Sequence, residues 1–218
     1  MGLRASVRNW FLGRLLGDHF AGNASRGSRA LVLTFDDGPD PLYTPKVLDL
    51  LKEVGVRATF FVIGVHAERH PEIVRRMLDE GHEIGNHAYR HVKFAALPLR
   101  DQLAEIEQTD RILTQYDGRP WHWFRPPQGR LPLQLLSALV RTRHRIAMWS
   151  YDSLDYRAQD ADSILNRFQK DPVREGEVIL LHDDNNSTEL ALPQLVGQWR
   201  EEGYEFHCLS QLITPRLP

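Results

Sequence analysis

The sequence predicts an α/β protein built on a parallel sheet covered by helices. Three observations carry this. Short β-branched and aromatic runs alternate with amphipathic stretches, about seven times in all. The connections between them are short. No repeat, low-complexity tract or change of composition marks a second domain. Both a βα barrel and an open α/β sheet satisfy this pattern.

Taken in order, the first strand is the apolar run Leu31-Val32-Leu33-Thr34-Phe35, which ends in Asp36-Asp37 and turns at Gly38-Pro39. Residues 43–54 read as an amphipathic helix stopped by Gly55, and residues 58–63 as a buried strand. Residues 70–80 form a helix with Pro71 in its first turn and Gly81 at its end. A short strand covers 83–86. The longest helical pattern, 99–116, places Leu103, Ile106, Asp110 and Leu113 three to four residues apart before Gly118-Arg119-Pro120 stops it. Strands at 121–124, 145–149, 178–181 and 204–207 alternate with helices at 132–141, 160–168 and 190–202, the second opening on a capping Asp160.

The chain has 218 residues, 42% hydrophobic and 26% charged, which suits one large globular domain. The formal net charge of −2 supplies no field for nucleic acid. The only cysteine, Cys208, excludes an internal disulfide and a thiolate metal cluster. Nothing in the sequence sets the oligomeric state. Residues 1–28 read as an amphipathic helix and a Gly/Ser/Asn linker ahead of a domain at 29–218. Val7, Trp10, Phe11, Leu15 and Phe20 fall at roughly helical spacing, and Ala21 opens the linker. The apolar runs there are too short for a secretory signal or a membrane span. The expected location is therefore cytoplasmic, with peripheral contact of this helix at the inner membrane face as a sharper version.

The polar residues have a positional logic. Asp36-Asp37, His87, Arg125, Asp152 with Asp155, and His182-Asp183 each follow a different predicted strand. In parallel βα architectures the C-terminal strand ends share one rim, where sites form. His87 and His91 stand at metal-ligand spacing. His66 and His70 share that spacing but lie in a polar segment without a carboxylate motif, and read as surface. Two histidines and one carboxylate leave open positions on a metal. Arg125-Pro126-Pro127-Gln128-Gly129 is a rigid turn in which Arg125 is placed to hold a carboxylate and Gly129 permits a close approach. Tyr156 offers an apolar wall for a sugar ring or simple packing. His182, after a buried strand, suits a general acid if a carboxylate orients it.

Together, in this order, these motifs resemble the polysaccharide deacetylase family, also called the NodB-homology family or carbohydrate esterase family four. Thr34-Phe35-Asp36-Asp37-Gly38-Pro39 matches the family's first motif without a change, and the resemblance runs from Ala30 to Leu212. It implies a distorted βα barrel of fewer than eight strands. It implies a divalent metal on Asp37, His87 and His91, zinc in the first place, with cobalt, nickel or manganese as alternatives. It further implies Asp36 as the base that activates a metal-bound water. Arg125 would orient Asp36, and His182 would be the acid that protonates the leaving amine, with Asp155 tuning it. A backbone N–H near Pro127-Gln128 would hold the oxyanion. Pro126, Pro127, Gln128, Tyr156 and Leu180 would shape the substrate groove, with Leu180 beside the acetyl methyl.

The implied activity is hydrolysis of N-acetyl groups on an amino sugar in a polysaccharide, oligosaccharide or lipid-linked glycan. Alternatives on the same site are an O-acetyl esterase, a deformylase or another amide hydrolase. A silent carbohydrate-binding protein ranks lower, because no ligand, base or acid is missing. Gln128, Tyr156 and Ala88 depart from the Tyr, Trp and Ser or Thr that the family often carries there, so the departures touch the sugar site rather than the chemistry.

Overall fold

The computed structural model describes residues 20–22, 29–91, 93–158 and 160–212, together with Gly13 and Gly17. The helix expected over the N-terminal segment otherwise lies outside the described residues. Among those residues, no helix is long and apolar enough to cross a membrane.

Nine strands form one sheet among the described residues. They are β1 (Phe20–Ala21), β2 (Ala30–Asp36), β3 (Thr59–Val62), β4 (Glu83–Asn86), β5 (Trp123–Phe124), β6 (Arg145–Ala147), β7 (Tyr151–Asp152), β8 (Val178–His182) and β9 (Glu205–Phe206). The order is β1-β6-β5-β4-β3-β2-β8-β7, with β9 on the start of β2, and every pair is parallel. The sheet curls into a half-barrel ringed by helices, the distorted barrel that the resemblance implied, but with nine strands among the described residues where about seven were expected, the two-residue β1 and β7 being the additions. The helices are α1 (Thr44–Glu53), α2 (Gly64–Arg69), α3 (Pro71–Asp79), α4 (Leu99–Asp117), α5 (Leu133–Arg141), α6 (Ala161–Lys170), α7 (Asn186–Glu201) and α8 (Leu209–Leu212).

The central strand β2 sets the layering. Its side chains alternate between faces, as strand geometry requires. Leu31, Leu33 and Phe35 pack outward under the helices with Val47, Leu48, Leu51, Leu192 and Leu195. Val32 joins Phe61, Trp123 and Val178 in a separate interior cluster. Thr34 and Asp36 share the parity of Val32, so the same alternation turns Asp36 into the barrel. Leu209 of α8 belongs to the interior cluster and closes the opposite end. Its N–H donates to Thr59 Oγ1 at 2.9 Å, and the Ser210 N–H to Glu83 Oε2 at 3.0 Å.

Four elements differ from the expectation. Phe20 and Ala21 are not a helix end and a linker start: they form β1, whose register places Phe20 beside Ile146 and Ala21 beside Ala147. Two residues are too short for alternation to reveal a strand. The strand expected over 145–149 ends at Ala147 as β6, where the chain leaves the sheet, and an unassigned strand, β7, rejoins it beside β8 at Tyr151. α7 begins at Asn186 rather than at Leu190, since Asn185 Oδ1 accepts from the Ser187 and Thr188 amides and so caps a polar first turn without apolar periodicity. α2 fills a segment that had no assigned element.

Candidate active site

The C-terminal ends of β2, β4, β5, β7 and β8 surround a cavity of about 260 Å3. It is lined by Asp36, Asp37, His87, His91, Gln128, Gly129, Trp149, Asp152, Tyr156, Leu180 and His182.

Asp36 and Asp37 are neighbours that face different partners. Asp36 is the last residue of β2 and points inward. Arg125 Nη1 donates to its Oδ1 at 2.6 Å and to Thr34 Oγ1 at 2.8 Å. Arg125 is fully buried, with its guanidinium carbon 4.0 Å from the centre of the Phe61 ring. That stacking offsets part of the burial of Nε and Nη2, which have no hydrogen-bond partner. Asp37 has left the strand with φ +77°, a left-handed conformation that swings its carboxylate away from Asp36.

Asp37 Oδ1 lies 3.4 Å from His87 Nε2 and 3.5 Å from His91 Nε2. These three residues offer ligand atoms within 4.8 Å of one another. His87 Nδ1 donates to the Arg125 carbonyl at 2.8 Å, which fixes its tautomer and leaves the Nε2 lone pair facing Asp37. Asp37 Oδ1 is buried and has no hydrogen-bond partner. A cation fits this arrangement. Two ligands at about 2.0–2.1 Å from one tetrahedral ion stand roughly 3.3 Å apart. Burial would raise the Asp37 carboxyl, but His87, His91 and His182 hold it far below the usual range. The donor set, one carboxylate and two imidazoles, suits a divalent metal.

His182 ends β8 on the other side of Asp37, with Nε2 4.0 Å from Asp37 Oδ2. Its Nδ1 donates to Asp155 Oδ1 at 2.8 Å, and its backbone N–H to Asp155 Oδ2 at 2.6 Å. Asp155 is itself buried and held by Ser153 Oγ, Thr188 Oγ1 and the Tyr156 amide. Burial pulls the His182 imidazole down, but Asp155, with Asp36 and Asp37 beyond it, pushes it up to about 10. The Asp155 carboxylate on Nδ1 thus favours the protonated imidazole.

Aromatic and apolar groups form the walls. Tyr156 sets its ring edge-on to His182 at 5.6 Å, and Leu180 of β8 joins them in the lining. Gln128 adopts φ +57°, ψ +16°, in a turn whose next two amides, Gly129 and Arg130, are used by the Pro126 and Pro127 carbonyls. The Gln128 N–H makes no hydrogen bond within the described residues. Pro126 and Pro127 are buried behind this turn and outside the lining.

Trp149 lines the cavity although the sequence reading gave it no role in the site, and Gly129 and Asp152, read as the turn glycine and a strand-end carboxylate, line it too. A Cβ at Gly129 would stand 2.5 Å from Trp149 Cη2, so the glycine and the indole fit only together. Trp149 lies at the end of an expected strand, the positional signal that found the others. His66, read as surface, is half-buried, and its Nδ1 lies 3.0 Å from the Asp37 carbonyl oxygen.

Known proteins share this architecture. The sequence profile described as polysaccharide deacetylase matches residues 23–147. A peptidoglycan-N-acetylglucosamine deacetylase of Bacillus cereus is 35% identical over 191 residues, 85% of this chain and 88% of its own. A chitooligosaccharide deacetylase of Sinorhizobium fredii is 36% identical over 200 residues, 85% of this chain and 92% of its own. Among solved structures, the Bc1960 peptidoglycan N-acetylglucosamine deacetylase, in complex with 4-naphthalen-1-yl-N-oxidanyl-benzamide, superposes with a TM-score of 0.83. It is 34% identical, over 89% of this chain and 92% of that one.

Proposed function

The chain belongs to the polysaccharide deacetylase family, and on that premise we propose how its residues remove the N-acetyl group from an amino sugar of a glycan. The observation that supports the reading most strongly is the division of labour at Asp36 and Asp37. One carboxylate is tied to Arg125, and the other is turned toward two imidazoles.

Asp37, His87 and His91 would hold the divalent metal, zinc by its preference for imidazole and carboxylate in a compact donor set. When bound, such an ion acidifies water and polarises a carbonyl oxygen. The rest falls to the chain. Asp36 Oδ1 is occupied by Arg125, which leaves Oδ2, 3.8 Å from His87 Nε2, as the face that takes a proton from the attacking water. Leu180 and Trp149 shape a small apolar space for the acetyl methyl. The Gln128 N–H is the donor for the oxygen that gains charge as the carbonyl carbon becomes tetrahedral. An amide nitrogen leaves poorly unless protonated, and His182 Nε2–H supplies that proton, with Asp155 holding the imidazolium in place. Tyr156, half-exposed at the mouth, presents a flat apolar face to the sugar ring.

The relatives' names point to N-acetylglucosamine units in peptidoglycan or chitooligosaccharides as the substrate class. The test is metal analysis together with acetate release from a panel of N-acetylated and O-acetylated glycans. One equivalent of divalent metal and preferred release from N-acetyl sugars, lost in Asp36→Asn, is the expected result. Preferred release from O-acetyl sugars, or an Asp36→Asn variant as fast as the parent, would overturn the reading.

A further inference from the structure

α2 lies where the two metal-binding loops meet. At its start the Ile63 N–H donates to the Gly38 carbonyl at 2.9 Å, the Gly64 N–H to the Ala88 carbonyl at 2.9 Å and the Val65 N–H to the Tyr89 carbonyl at 3.1 Å. The first bond reaches the loop of Asp37, and the other two reach the loop between His87 and His91. Gly64 makes the approach possible, since a Cβ there would stand 2.5 Å from Thr109 Oγ1 and 2.8 Å from Tyr89 Cδ2. One turn on, His66 brings a side chain to the same bracket, with Nδ1 3.0 Å from the Asp37 carbonyl oxygen. A carbonyl only accepts, so Nδ1 carries the proton and donates it.

This hydrogen bond falls on a backbone under load. Asp37 has φ +77° and Ala88 φ +66°, both left-handed without being glycine. Each such residue costs about 1–2 kcal/mol, and the conformation persists only where its surroundings hold it. Rotation of the Asp37 backbone out of that region would carry its carboxylate away from His87 and His91. We propose that His66 is a positioning residue for the metal site: its Nδ1–H grips the Asp37 carbonyl and so aims the Asp37 carboxylate between the two imidazoles. His66 touches no reacting atom. The inference rests on the reading of Asp37, His87 and His91 as the ligands, and it gives a role to a histidine that the sequence placed on the surface but whose ring serves a neighbouring ligand.

The test measures zinc affinity on the full-length protein stripped of metal, by competition with a chromophoric chelator, with thermal melting of the stripped protein alongside. His66→Ala is expected to weaken zinc binding by about 10- to 100-fold, the usual effect of losing an outer partner of a metal ligand. His66→Asn places an amide N–H near the position of Nδ1 and is expected to restore most of the affinity. His66→Gln places it near Nε2, one bond too far, and is expected to resemble His66→Ala. If His66→Ala binds zinc within twofold of the parent, the positioning role is overturned while the metal site stands. If Asn fails to do better than Gln, the role is overturned as well, because the donor position would then be irrelevant. A parent protein that holds no zinc overturns both the ligand reading and this inference.

Discussion

Arg125 Nη1 lies 2.6 Å from Asp36 Oδ1, and neither side chain is open to solvent. A buried ion pair of this kind contributes little over an apolar pair, but breaking it from one side strands a charge. Arg125→Met is therefore expected to destabilise the fold by about 3–5 kcal/mol in urea unfolding. Arg125→Met combined with Asp36→Asn should recover a large part of that loss, because the stranded carboxylate is gone. Equal stability of the single and double variants would show that the pair is not coupled. In catalysis, Asp36→Asn alone should lower kcat by about 10²–10⁴-fold and leave zinc affinity near that of the parent, since Asp37 rather than Asp36 faces His87 and His91.

Asp155 is expected to set the alkaline limb of the pH–rate profile. In the proposed mechanism His182 acts in its protonated form, and the carboxylate on its Nδ1, working against burial, is a principal cause of its raised pKa. Removing that charge with Asp155→Asn lowers the pKa, so His182 loses its proton at a lower pH and the alkaline limb of kcat/KM moves down. The acid limb, set by the base, should move much less. A profile whose alkaline limb stays in place, in a variant that melts like the parent, would remove Asp155 from this role.

Much of this site was legible because strand ends can be read from apolar runs. Asp36, His87, Arg125 and His182 end or follow runs that are buried on both faces, and parallel topology brings such ends to one rim. The left-handed backbone at Asp37 and Gln128 was not legible, since neither is glycine and only the assembled loops hold them there. The same holds for His66. Its partner is a backbone carbonyl 29 residues away, which leaves no trace in spacing. β1 escaped because pairing with β6 defines it, not its own two residues. In α7 the apolar pattern begins a full turn after the cap, so periodicity found the helix and missed its start.

A second buried histidine should govern how stability varies with pH. His122 on the approach to β5 sets Nε2 3.1 Å from Asp117 Oδ1, while Nδ1 lies 3.7 Å from Asp110 Oδ1. Burial lowers its pKa, but the two carboxylates more than offset this and raise it above 6.5. Its contribution is therefore fully present below the unfolded value and fades as pH rises through the raised folded value. Asp110 runs the other way. Burial raises it, but His122, His144 and Asn86 bring it down to about 2 from 3.8, so its contribution holds above 3.8 and is lost as pH falls through about 2. His122→Gln should lower stability at pH 6 and flatten its decline on the alkaline side. Urea unfolding at several pH values checks this, and a decline as steep as the parent's would count against the assignment.

Two glycines with nearly the same φ separate strain from fit. Gly129 has φ +63° and Gly118 φ +69°. At Gly118 an added Cβ meets nothing within 4 Å, whereas at Gly129 it would stand 2.5 Å from Trp149 Cη2. Both Gly→Ala variants incur the left-handed penalty of about 1–2 kcal/mol. Only Gly129→Ala must also displace the indole or the turn that carries the Gln128 N–H. A displacement on the order of 1 Å at a reacting centre costs about 100-fold in rate. Gly118→Ala is thus expected to melt earlier with unchanged kcat/KM. Gly129→Ala should melt earlier and lose kcat/KM by a factor approaching 100. If the two variants keep equal activity, the contact between Gly129 and Trp149 is packing alone and the Gln128 amide has no part in holding the oxyanion.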